Sequence, residues 1–110
     1  MTLFLLLANA LGMMAQGSTT VSADEARIRQ IVVEEQSAWN RGNATDYAAH
    51  FEENGGFTNV VGSVSYGRRA FEERHAQLFV TAFKNTQLSM HIRQIRLLRP
   101  DVAIVDIDTA

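Results

Sequence analysis

Thr86-Gln-Leu-Ser-Met-His-Ile-Arg-Gln-Ile-Arg-Leu-Leu98, then Arg99-Pro100-Asp101, then Val102-Ala-Ile-Val-Asp-Ile-Asp-Thr-Ala110, is the stretch that decides the fold. Leu88, Met90 and Ile92 alternate with polar residues, as a strand with one buried face requires. Ile95 and Leu97 continue that face only if the period of two slips once, near Arg93-Gln94. Such a slip is read as a β-bulge, an extra residue that bends its strand. Leu98-Arg99-Pro100-Asp101 forms a turn, which the fixed φ of proline suits. Val102 onward alternates again and forms a second strand. A long bent antiparallel strand needs a layer on its concave side, and the preceding sequence supplies helices for it.

Working back toward the N-terminus, Arg68 to Phe83 reads as a helix that turns Phe71, Leu78, Phe79 and Ala82 inward. Gly62 to Gly67 is turn-rich, with a short edge strand at Val64 and Tyr66. Phe57 to Val61 is β-branched and aromatic enough for a strand, with Phe57, Asn59 and Val61 on one face. Glu52-Glu-Asn-Gly-Gly56 is a loop by composition. Asn43 caps a short helix whose apolar stripe is Ala44, Tyr47, Ala48 and Phe51. Ser22-Ala-Asp-Glu25 has the form of a capping box and opens the first helix, which carries Ile28, Ile31, Val32, Ala38 and Trp39 on one face. Gly42 closes that helix in the left-handed conformation open to a residue without a Cβ. The expected class is therefore α+β: a curved antiparallel sheet packed on three helices, with a cavity where curvature prevents close packing. The strand running to Ala110 has no following partner in the sequence, so either further chain or another copy is expected to cover its edge.

The chain has 110 residues, 46% of them apolar and 20% charged, a net charge of -2 and no cysteine. That length corresponds to one domain. Ten basic and twelve acidic residues, mixed along the chain, leave no basic stripe for nucleic acid. The lack of cysteine excludes disulfides, thiolate metal sites and a cysteine nucleophile. The first charged side chain is Asp24, and Leu3 to Met14 is apolar for about a dozen residues, short of the ~20 that cross a bilayer but suited to a signal-peptide core. Ala15-Gln16-Gly17 offers small residues for cleavage. Residues 1–17 are thus expected to be a signal peptide, 18–110 a single domain, and the protein secreted or periplasmic without a lasting membrane association. The front end lacks Lys or Arg, which leaves open a mis-assigned start or a helix that stays in the fold.

Ala38-Trp-Asn-Arg-Gly-Asn43, Tyr47-Ala-Ala-His-Phe51, Phe57-Thr-Asn-Val-Val-Gly62, Gly67-Arg68 and Leu97-Leu-Arg-Pro-Asp-Val-Ala-Ile-Val105 resemble, in order, blocks of the SgcJ/EcaC-like proteins of the SnoaL-like, nuclear-transport-factor-2-like superfamily. The resemblance spans about residues 24–110. It implies a cone-shaped fold with a pocket between helices and sheet, and a homodimer formed through the sheet. Against the family pattern the last two strands are absent, and with them any functional residue they carry. In the ketosteroid-isomerase branch the catalytic aspartate falls where this chain has Asn59, and the oxyanion-hole tyrosine falls at Glu35. Both departures count against a dienol-forming isomerase.

Among the candidate site residues Glu35 stands out, because at about 100° per residue it lies in the middle of the face made by Ile28, Val32 and Trp39. A carboxylate among apolar groups must find a partner, with Arg93 or Arg96 the candidates, or reach solvent, or hold its proton more tightly as a general acid or base does. His75 lies among Phe71, Leu78 and Phe79. It reads either as a proton shuttle or as a core histidine bonded to a backbone carbonyl. Asn59 either orients a ligand carbonyl or bonds the backbone at its strand end. Trp39, Phe57, Tyr66 and Met90 would line a pocket, or fill a core. His50 and His91 read as boundary and solvated residues, and the spacing of the histidines forms no metal pair. Asp106 and Asp108 share a strand face and read as solvated or as a carboxylate pair. No cofactor is expected. Two functions remain: a pocket protein that binds a small apolar or polyketide-like molecule, or a cofactor-independent isomerase, cyclase or dehydratase using Glu35 and His75.

Overall fold

The computed structural model describes residues 22–110; the expected signal peptide lies outside them. Helix α1 spans Ala23–Asn40 and α2 Ala44–Tyr47; strands β1 (Gly56–Thr58) and β2 (Val64–Tyr66) precede α3 (Arg68–Phe79), β3 (Met90–Arg99) and β4 (Val102–Thr109). The class is α+β, with antiparallel strands and three helices, as the sequence predicts. The strands are grouped in two antiparallel ribbons, β1 with β2 and β3 with β4.

Helix α1 begins where the sequence places it. Ser22 Oγ accepts from the Glu25 N–H at 3.1 Å, satisfying one of the free amides of the first turn. The reciprocal half of the box is not made, because the Glu25 carboxylate accepts instead from Arg29 at 3.0 Å, one turn on. At the other end Gly42 sits at φ 66°. From there the Gly42 N–H reaches the Trp39 carbonyl at 2.8 Å and the Asn43 N–H reaches Ala38 at 2.9 Å, the paired closure of a Schellman motif. Asn43 Oδ1 then caps α2 by accepting from the Asp46 N–H at 2.9 Å. The buried side chains at the α1–α2 contact are small, Ala38, Ala44 and Ala48, which lets the two helices pack closely.

The β3–β4 ribbon slips register between Ile92 and Gln94, leaving Arg93 as the extra residue. This is the bulge expected from the alternation. A second slip lies between Leu97 and Arg99, beside the Pro100-Asp101 turn. Beyond the first bulge Ile95 still turns inward, as do Val105 and Ile107 opposite, while Leu97 is exposed. Asp106 and Asp108 lie on the outer face, where Asp108 pairs with Arg93 at 3.2 Å. They do not form an inward carboxylate pair.

Three elements are shorter than the periodicity suggests, and side chains bond the backbone at or beyond the point where each stops. Strand β1 stops at Thr58 because Asn59 Oδ1 accepts from the Val61 and Ser63 N–H groups at 3.0 and 2.9 Å, folding Asn59 to Gly62 into a turn. Helix α3 stops at Phe79; the Phe83 carbonyl accepts from the Thr86 hydroxyl at 2.7 Å, and that hydroxyl accepts from Trp39 Nε1 at 3.1 Å. Strand β3 starts at Met90 rather than Thr86 because α1 holds the preceding backbone. Asn40 Nδ2 donates to the Leu88 carbonyl at 3.1 Å, and Asn40 Oδ1 accepts from the Leu88 N–H at 2.6 Å. One turn earlier, Gln36 Oε1 accepts from the Met90 N–H at 2.7 Å.

These three bonds join α1 to the ribbon, so their loss has a defined cost. Asn40→Ala removes two half-buried hydrogen bonds and leaves the Leu88 groups without them, an expected destabilisation of about 2 kcal/mol. Urea unfolding of Asn40→Ala against the exposed control Ser37→Ala measures it, and equal midpoints would refute the tie.

Candidate functional site

The inner faces of α1, α2, β1 and α3 converge on a wall of aromatic rings. Phe71 and Phe79 are buried on α3, and His75 between them is 5% exposed. Around the His75 imidazole lie Phe71 at 4.2 Å, Tyr47 at 5.0 Å, Phe57 at 5.7 Å, Phe79 at 6.2 Å and Trp39 at 6.3 Å between centroids. Phe51 stacks on Phe71 at 4.4 Å. Edge-on contacts dominate around Trp39, which meets Tyr47 at 5.4 Å and Phe79 at 5.0 Å, the geometry that aromatic quadrupoles favour.

His75 is fixed within this wall. Nδ1 lies 2.8 Å from the Phe71 carbonyl one turn earlier; a carbonyl can only accept, so Nδ1 carries the proton and Nε2 presents a lone pair. Burial holds the imidazole below its usual pKa, against the Phe71 carbonyl, which favours the charged ring; nearby Arg74 adds to the lowering. The ring is therefore neutral at pH 7. Of the two expectations for His75, the backbone-bonded core histidine is the arrangement seen, and it leaves Nε2 without a partner among the described residues.

Glu35 is half-buried on α1 and makes no ion pair or side-chain hydrogen bond among the described residues. Arg93, one of the two arginines that could have paired with it, is bonded to Asp108. Burial pushes the Glu35 carboxyl above the usual carboxylate range, partly offset by the charge of His50. The effect is felt across the helix pair. Burial first, and then the Glu35 charge, push the Tyr47 phenol up to about 12. Adjacent Glu34 behaves oppositely. It accepts from His50 Nε2 and Gln30 Nε2, and those bonds hold it below the carboxylate range. Two neighbouring acids on one helix thus differ, one satisfied on the outer face and one unsatisfied on the inner.

The other expected site residues separate into two groups. Trp39 and Phe57 stand with His75 in the wall, but the indole N–H of Trp39 is taken by Thr86. Met90 is half-buried at the start of β3, its N–H bound by Gln36. Asn59 spends its carbonyl oxygen on the β1–β2 turn, which is the backbone-bonding expectation for that residue. Tyr66 is 76% exposed on β2 opposite Gly56, outside the wall. Tyr47, which joins the wall, and His50, which acts on Glu35 from outside it, carry only an apolar-stripe and a boundary signal in the sequence. Among the described residues no group of three or more His, Asp or Glu side chains could hold a metal ion.

Open grooves lie elsewhere on the surface. One, lined by Gln30, Glu34, Ser37, Arg41, Asp46 and His50, runs along the outer side of α1 and α2, and its charges are paired within it. Another lies beside the C-terminus of α1, between Trp39, Phe79 and the loop at Phe83 to Gln87.

No protein-family model matches the chain, and no curated protein matches it. Solved structures do. A domain of unknown function with a cystatin-like fold from Nostoc punctiforme aligns over 82% of this chain and 56% of its own length, with 31% identity and a TM-score of 0.77. A ketosteroid isomerase-like protein from Erwinia carotovora atroseptica aligns over 81% of this chain and 67% of its own, with 18% identity and a TM-score of 0.69. An NTF-2-like protein of unknown function from Shewanella oneidensis aligns over 74% of this chain and 77% of its own, with 20% identity and a TM-score of 0.62. The chain has the fold these proteins share, the NTF2-like or cystatin-like fold, and spans little more than half the length of the first of them.

Glu35 and His75 titrate in opposite senses. The folded pKa of Glu35 is raised, so the stability tied to its proton is fully present below the unfolded value of ~4.3 and is lost as pH rises through the folded value. The folded pKa of His75 is lowered, so its contribution is present above the unfolded ~6.5 and is lost as pH falls through the folded value. Melting wild type, Glu35→Gln and His75→Phe between about pH 4 and about pH 8 tests both. Relative to Glu35→Gln the wild type should weaken as pH rises; relative to His75→Phe it should weaken as pH falls. Differences that stay flat with pH would refute the assignments.

Proposed function

We propose that the chain is a small-molecule-binding domain of the SnoaL-like branch of this fold, related to the SgcJ/EcaC-like proteins. Its ligand is a small apolar or polyketide-like molecule that lies against the aromatic wall, with Glu35 at the polar end. One observation carries this reading: a half-buried carboxylate, without an ion pair among the described residues, stands beside a wall of rings. Such a group is costly to bury unless something else meets it, and ligand sites have this composition of apolar lining with few polar groups.

A second reading rests on the same carboxyl. A Glu that binds its proton more tightly than usual, with His75 as a second titratable group in the wall, suits proton transfer at neutral pH without a cofactor. The ketosteroid isomerase-like label of one solved structure belongs to that protein, which at 18% identity supports the fold alone. Export through residues 1–17 and a homodimer formed through the sheet complete the proposal. The apolar Leu3 to Met14 run supports the first, and the exposed Leu98 and Ile104 of the β3–β4 ribbon support the second.

Calorimetric titration with neutral polycyclic ketones and phenols, alongside optical assay of their turnover, separates the two functions. For a binder, saturable binding is expected, changed less than about tenfold in Glu35→Gln, with no turnover. For an acid–base enzyme, binding is kept while turnover falls by about a hundredfold or more in Glu35→Gln. Failure of every compound to bind would overturn both.

A further inference from the structure

We infer that the Nε2 atom of His75 is a ligand-recognition point that accepts a hydrogen bond from a hydroxyl group on a flat aromatic molecule. The inference deepens the small-molecule reading above and rests on it. His75 is 95% removed from solvent by the rings around it, yet only one of its two nitrogens is used, Nδ1 on the Phe71 carbonyl at 2.8 Å. Nε2 has no hydrogen-bond partner among the described residues. Among those residues no fully enclosed side-chain nitrogen or oxygen lacks a partner. Nε2 is therefore not fully enclosed: it keeps some solvent contact within the 5% of His75 that remains exposed.

Three consequences fix the chemistry. With the proton held on Nδ1 by a carbonyl that cannot donate, Nε2 can only accept. With the ring kept neutral by its surroundings, that acceptor persists at physiological pH. With Tyr47, Phe57 and Trp39 around the imidazole, the body that brings a donor to Nε2 meets ring faces and edges. A phenolic or enolic hydroxyl on a planar apolar skeleton satisfies all three, whereas an ether or a bare hydrocarbon leaves Nε2 unpaired. A buried polar group left unpaired discriminates against the analogue lacking its partner.

The test uses the full chain with 2-naphthol, 2-methoxynaphthalene and naphthalene as probes, followed by fluorescence titration and by nitrogen NMR of the His75 ring. The expected result is that 2-naphthol binds about tenfold more tightly than either analogue and moves the Nε2 resonance, which the analogues leave in place. In His75→Phe, which keeps an aromatic ring in the wall, the preference disappears while naphthalene binding remains. Equal binding of all three probes to wild type, or an Nε2 resonance unmoved by 2-naphthol, overturns the inference and leaves the small-molecule reading standing. Binding of none of them overturns that reading as well. If His75→Phe does not fold, the wild-type affinity ratio and the Nε2 shift decide alone.

Discussion

Two amide side chains one helical turn apart hold this fold together. Gln36 and Asn40 bond Met90 and Leu88, whose backbone groups face away from β4. A two-stranded ribbon is marginal alone, and its outward N–H and C=O groups need partners. Here a helix supplies them through side chains, at positions two residues apart on the strand and four apart on the helix. That match of periods sets the position of the ribbon along α1, and so which residues of β3 approach the wall. Trp39, between the two amides in sequence, adds a third tie through Thr86 and draws the end of α3 into the same junction.

The wall behind that junction does two jobs that conflict. It is the apolar core on which α1, α2 and α3 pack, and it contains a buried imidazole, while a half-buried acid acts on the Tyr47 phenol at its margin. Burial pushes both toward neutrality, the acid by holding its proton and the base by shedding one. Outside the wall, Glu34 and His50 meet in a hydrogen bond that solvent reaches. The contrast between Glu34 and Glu35 arises from geometry alone: a 100° step round the helix separates an acid that is satisfied from one that is not.

Much of this was legible in the sequence, because local rules governed it. The Ser22 and Asn43 caps, the Gly42 closure, the slip at Arg93 and the burial of Phe71, Ala38 and Phe79 follow from spacing and residue type. What was not legible depends on partners far away in the chain. Gln36 and Asn40 look like ordinary polar positions on a helix until the backbone at Leu88 and Met90 comes beside them. The tie between Trp39 and the loop after α3 depends on Thr86 coming beside the indole. Glu35 was readable as an awkward acid, but that Arg93 would bond Asp108 instead depends on strand register. Tyr47 and His50 belong to the same class: their roles come from a helix contact that no local pattern announces.

The extra residue at Arg93 separates two stretches of regular alternation. Losing that single codon would join them into one unbroken period, with Ile95 and Val105 still facing inward, and would remove only the local kink. An in-frame deletion there would therefore alter how sharply the ribbon bows while keeping its greasy lining, an evolutionary adjustment of cavity shape without a change of cavity chemistry.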